Sequence, residues 1–160
     1  MPTHNRIVIG SLTLFSLFVM DRASVFAQSE TAAIVTCTET PDSIKVTVRG
    51  KPVLTYNKAF QEPPRGMDPI YRRSGYIHPL YTPSGRMVTG DFAPDHAHQH
   101  ALFGAFVNTT FQGKRVDFWN QHKRTGNVSH HKVIEVNSGD QVGSFTVELR
   151  HEAFTTPDPP

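Results

Sequence analysis

An all-β fold, an antiparallel β-sandwich, is the class this sequence predicts, on three observations. Apolar residues recur at every second position over short stretches, as Ile44, Val46 and Val48 do against Lys45, Thr47 and Arg49, which puts one face of a strand in a core and the other in water. Turn-forming groups separate such stretches at close intervals: Pro41-Asp42, Gly50-Lys51, Thr82-Pro83-Ser84-Gly85, Gln112-Gly113-Lys114 and Ser138-Gly139-Asp140. No segment combines helical periodicity with caps. About seven to nine short strands follow, enough for two packed antiparallel layers. The last strand has no evident successor, so the sandwich is expected to be incomplete and open at that edge.

The N-terminal residues are set apart from the fold. A positive start at residues 1–6, an uncharged and mostly apolar run over residues 7–20, and Val25-Phe26-Ala27 at its end have the layout of a secretory signal peptide. The expected domains are therefore a signal peptide over 1–27, cleaved after Ala27, and one β-sandwich domain over 28–160. The chain is expected to be secreted or periplasmic, with no membrane span after cleavage, since the apolar run is short for one. Without Arg6, Arg22 and Asp21, 14 basic residues face 13 acidic ones, so no electrostatic case exists for nucleic acid as a partner. Cys37 is the only cysteine, and stability must come from packing or a metal rather than an internal disulfide.

In chain order, a strand over residues 34–38 leads through Pro41-Asp42 into the alternating strand 44–48 and, past Gly50, into 53–56. Pro63, Pro64, Gly66 and Pro69 mark a long surface connection. The segment 71–81 is aromatic and basic, and Arg72 beside Tyr76 suits a sugar ring or a carboxylate. Arg72 and Arg73 read equally well as solvated, and Tyr76 as core. Residues 87–89 read as a short strand, and 102–119 as a hairpin whose aromatics are mostly core. Residues 128–136 form a strand on which His130 and His131 face opposite sides, and a last strand carries Phe145, Val147 and Leu149 on one side. Pro157 and Pro159 belong to a connection.

Chemistry concentrates at residues 95–100, Asp-His-Ala-His-Gln-His. In an extended strand His96, His98 and His100 line one wall; in a helix only His96 and His100 share a face. Three readings stand side by side. The three imidazoles hold a divalent metal, with Asp95, His78 or one of His130 and His131 as a fourth ligand. Alternatively, Asp95 fixes the tautomer of one imidazole while another moves a proton, with Tyr76, His78, Arg72, Trp119 and Asn120 binding a carbohydrate or other small molecule. Or the histidines hydrogen-bond a buried turn in a non-catalytic binding or structural module. No nucleophile motif and no carboxylate pair competes with these.

Several motifs in order carry a family resemblance: residues 76–85 (YIHPLYTPSG), 95–103 (DHAHQHALF), 116–121 (VDFWNQ) and 126–131 (GNVSHH). Together they resemble the DUF6807 family, whose members are often labelled "methane oxygenase PmoA" and occur among secreted proteins of planctomycete-type bacteria. The resemblance implies a secreted all-β domain, plausible in carbohydrate metabolism, and a chain that corresponds to an N-terminal part of the longer family domain. The oxygenase label belongs to a multi-span membrane subunit and does not suit a chain without a span. Two residues depart from the family's usual pattern: Ala97 stands for a proline and Ala101 for a glycine. A partial domain is expected to self-associate through its open sheet edge.

Overall fold

The computed structural model describes residues 33–154. The signal peptide expected over 1–27 and the ending at Pro157 and Pro159 lie outside the described residues. The described chain is β-rich, with eleven strands and two single-turn 3-10 segments, Pro69–Tyr71 and Gln121–Lys123. Its main sheet has five antiparallel strands. The first three, β1 (Val35–Glu39), β2 (Ser43–Val48) and β3 (Lys51–Asn57), form the expected meander. Arg49 and Gly50, both at positive φ (49° and 75°), make the tight turn from β2 to β3. β4 (Tyr76–Leu80) follows across the long connection, and β7 (Leu102–Phe103) closes the sheet order β1-β2-β3-β4-β7.

The second layer is a ribbon of β10 (Gly126–Asn137) and β11 (Ser144–Ala153). Period-two alternation puts Ile44 and Val46 on one face of β2, where they form a core with Cys37 and Tyr56. Val133, Val136, Phe145, Val147 and Leu149 of the ribbon pack on that core, so two layers share one apolar interior. Leu149 also packs on a smaller cluster of Val116, Phe118 and Val128, which joins the ribbon to the site-bearing loops. The layers are tied at the sheet edge, where Val35 and Gly139 exchange backbone hydrogen bonds (2.8 and 3.0 Å) and the Cys37 N–H donates to Ser138 Oγ. Among the described residues β11 pairs only with β10, so its outer edge is open, as the sequence predicts.

Gly75 sits against the ribbon with no room for a side chain. At φ 77° it sits where a Cβ would lie 2.9 Å from the His130 nitrogen and 2.8 Å from Leu149 Cδ2. Any side chain there combines left-handed strain with a backbone collision, so the residue before Tyr76 has to be glycine.

Three expectations need correction. Residues 87–89 form no strand: Met87 makes one bridge to Tyr81, and the Val88 N–H donates to the Leu80 carbonyl. The hairpin expected over 102–119 is instead split. Leu102–Phe103 pairs with β4, while β8 (Thr109–Phe111) and β9 (Lys114–Val116) form a short hairpin around Gln112 and Gly113. Of its aromatics Phe118 is core as expected and Phe103 and Trp119 are partly buried, whereas Phe106 and Phe111 are 62% and 52% exposed. The cause is that the apolar run at residues 101–111 is broken by Gly104 and by Asn108 at φ 54°, so no continuous strand can carry it into the core.

Candidate functional site

The histidine segment is extended. β5 (Asp91–Ala93) and β6 (His96–His100) form a two-stranded hairpin in which Asp91 lies opposite His100. With period two, His96, His98 and His100 follow one another along one face, and that face descends from solvent into the interior. The His96 side chain is 54% exposed, His98 is half-buried, and His100 is fully buried. Ala101 ends the strand at φ 47°, a left-handed conformation that favours the glycine expected from the family pattern.

At the inner end, His100 Nδ1–H donates to Asp91 Oδ1 at 2.7 Å, and its Nε2 lies 3.0 Å from Gln121 Oε1. The Gln121 amide is oriented by its Nε2, which donates to the carbonyls of Ile70 (3.1 Å) and Arg72 (3.0 Å) and to Asn127 Oδ1. Its oxygen therefore has to face the imidazole. Both ring nitrogens of His100 meet acceptors, and each contact is a hydrogen bond only with a proton on that nitrogen. The second Asp91 oxygen accepts the Tyr76 hydroxyl at 2.5 Å, and burial together with this bond raises the Tyr76 pKa. Tyr76, Phe92 and Phe103 pack their rings around His100.

At the outer end the arrangement is different. The His98 ring lies between those of His96 (centroids 5.9 Å apart) and His122 (5.5 Å). No hydrogen bond holds it among the described residues. Burial lowers the His98 pKa, and the neighbouring His122, His96 and Arg73 add to the effect, so the ring is neutral at neutral pH with a free lone pair. Asp95 is solvent-exposed and lies 3.2 Å from His96 Nδ1.

His122 reaches His98 from the Gln121–Lys123 turn, which Asp117 organises. Asp117 Oδ1 accepts the N–H groups of Trp119 and Asn120, and its Oδ2 accepts Asn120 Nδ2 (2.8 Å) and Lys123 Nζ (2.7 Å). The turn thus delivers Gln121 inward and His122 outward from adjacent positions.

Of the residues singled out from sequence, the structure brings His96 and His98 together at the surface and places His100 and Tyr76 inside. Asn120 is committed to Asp117, and Trp119 packs on Phe103 (4.6 Å between centroids). Arg72 points elsewhere, stacked on Phe60 and paired with Glu62. His78 bonds Thr89 Oγ1, His130 bonds the Tyr56 hydroxyl, and His131 accepts from Arg150. The trio His96, His98 and His100 is not a free ligand set, since His100 uses both nitrogens within the protein. Among the described residues no group of three or more His, Cys, Asp or Glu side chains is arranged to hold a metal ion.

Sequence reasoning missed three contributors, Asp91, Gln121 and His122, while Arg73, read with Arg72 as part of one aromatic and basic segment, is the arginine that turns inward. Period two cannot identify Arg73, since it lies an odd number of residues before Tyr76 and Gly75 at φ 77° breaks the extended chain between them. A concavity of about 390 Å³ between the β2–β3 turn and the Thr82–Gly85 turn lies elsewhere and holds none of these groups.

No curated protein and no solved structure matches the chain. The resemblance carried by the histidine, Tyr76 and Trp119 motifs is met by a match over residues 43–158 to DUF6807, described as a family of unknown function. The match spans the main sheet from β2 onward, the histidine hairpin and the ribbon, and the chain belongs to the DUF6807 family.

Proposed function

We propose that the chain carries a carbohydrate site in which His98 serves as a general base. The observation that carries this reading is the meeting of His96, His98 and His122, from two separate segments, at the solvent end of a buried and fully bonded network. Rigid support below and an unbonded, neutral imidazole above are what proton transfer from a bound hydroxyl requires. The ring of Trp119, packed on Phe103 and three residues before His122, offers an apolar face for a sugar's CH groups. The same geometry without proton transfer is a binding module, and turnover separates the two.

The test is titration of the protein and its His98→Ala variant with glucose, galactose, mannose and xylose, followed by NMR of the histidine side chains. The expected result is a shifted His98 resonance in the parent and loss of binding in the variant. Its unfolding free energy should stay within about 0.5 kcal/mol of the parent's, because a half-exposed ring without hydrogen bonds contributes little. Binding should weaken in acid, as His98 takes a proton below the ordinary imidazole value of 6.5. A variant that binds as the parent does sinks the reading. Elemental analysis of the same preparations tests the metal-assisted form, which requires a stoichiometric divalent ion that His98→Ala loses.

The reading includes export and pairing of the open β11 edge with a second copy. The layout of residues 1–27 and the unpaired edge support these. An exported protein that does not begin at Gln28, or a monomer at all concentrations in sedimentation, counts against them.

A further inference from the structure

Among the described residues Arg73 is the one buried side chain with unpartnered polar atoms. It is 1% exposed, its Nη2 donates to the Phe118 carbonyl at 3.0 Å, and its guanidinium lies over the Phe103 ring, 4.7 Å from the centroid. Nε and Nη1 have no hydrogen-bond partner among the described residues. The nearest carboxylate does not complete it, because Asp91 gives one oxygen to His100 and the other to Tyr76. Burial pulls the Arg73 pKa down to about 10, against the pull of Tyr76 and Asp91, so the group still carries its charge at neutral pH. A buried cation with orphaned donors is unfavourable unless an anion meets it.

The geometry of the orphaned donors selects the anion. A guanidinium has two forks, one made by Nε and Nη2 and the other by Nη1 and Nη2. The Phe118 carbonyl takes one of the two Nη2 hydrogens. Whichever it takes, one fork keeps both of its donors, and a two-donor fork matches the two oxygens of a planar carboxylate. The place is also connected to the histidine segment: the Phe103 ring beneath the guanidinium packs on His100, two residues from His98 on one strand face, and the Arg73 charge acts on His98. His98 is the half-buried ring of the cluster, and no hydrogen bond fixes it among the described residues. A ring that can swing is what access to a closed-off fork needs.

We propose that Arg73 is a carboxylate-binding residue, and that the sugar taken at the His96, His98 and His122 cluster is an acidic one, a uronic acid whose carboxylate docks on the free fork of Arg73. This rests on the carbohydrate reading above and narrows its substrate class. A carboxylate on that fork satisfies the buried donors, neutralises the charge, and leaves the sugar hydroxyls beside His98.

The experiment compares glucuronate, glucose and acetate on the full chain by calorimetry and by NMR of the Arg73 Nε–H. Glucuronate should bind at least ~10-fold more tightly than glucose, the scale of a charge-assisted bidentate contact. Arg73→Lys keeps the charge without the fork and should lose that preference. Equal binding of glucuronate and glucose by the parent overturns the assignment of Arg73 while leaving a sugar site in place. If neither sugar binds, the carbohydrate reading fails, and acetate decides the carboxylate site separately. A shifted Arg73 Nε–H supports the site, and an unmoved one overturns it. The comparison of ligands on the parent protein decides the matter even if the variant does not fold.

Discussion

The His100→Ala variant is expected to unfold about 3–5 kcal/mol more easily than the parent, the largest loss for any residue of the histidine segment. Two effects add. Removing the ring empties a space lined by Tyr76, Phe92 and Phe103, which costs packing. It also takes a donor from Asp91 Oδ1, which keeps only the Phe92 N–H, and leaves the fully buried Gln121 Oε1 with none. The second effect weighs heavily, because a fully buried acceptor left without its donor keeps the whole cost of its desolvation. Two comparisons separate them. Pairing His100→Ala with Asp91→Asn removes the charge along with its partner and should recover part of the loss. His98→Ala, two residues away on the same strand face, should be close to neutral. Urea unfolding of the three variants measures this, and a His100→Ala loss below about 1 kcal/mol would mean that the network contributes only contact area.

That contrast between neighbours two apart explains how far the sequence could be read. Alternation revealed the β1–β3 meander because each strand there has one buried and one solvated face, with turn residues at both ends. It also placed the three histidines on one face. What alternation cannot convey is depth along a strand, so His96, His98 and His100 looked equivalent although one is exposed and one has no contact with solvent. Asp91 was within reach of inference, since a hairpin brings it opposite His100, but Gln121 and His122 arrive from a loop 21 and 22 positions after His100, where no periodic signal applies. Tyr76 and Arg72 were read as one aromatic and basic platform, and chain direction across Gly75 separates them. The 101–111 run misled because apolar composition mimics a core strand even where Gly104 and a left-handed Asn108 prevent one.

Asp117 provides the second large effect and ties stability to the site through pH. Burial disfavours its charged form, yet the N–H of Asn120, the Lys123 ammonium and the Asn120 amide outweigh burial and hold its pKa at about 2, against an ordinary 3.8. A carboxyl depressed on folding contributes stability that is complete above the unfolded value and disappears as pH falls through the folded one. From that shift the contribution is about 2 kcal/mol, full above about pH 5 and lost between 3.8 and about 2. Asp117→Asn keeps the shape and can still accept the two backbone N–H groups. Its amide nitrogen, however, would face the donors Asn120 Nδ2 and Lys123 Nζ, so at pH 7 the variant should be less stable by at least about 2 kcal/mol. The gap should close as the solution is acidified, since the parent loses its carboxylate while the variant has none to lose. Urea unfolding at pH 7, 4 and 2.5 measures it, and a gap that does not change with pH would assign the loss to shape rather than charge. Because the same carboxylate holds the turn that brings His122 to His98, Asp117→Asn should also weaken ligand binding at the histidine cluster at pH 7, whereas His100→Ala should do so only in proportion to the fraction unfolded.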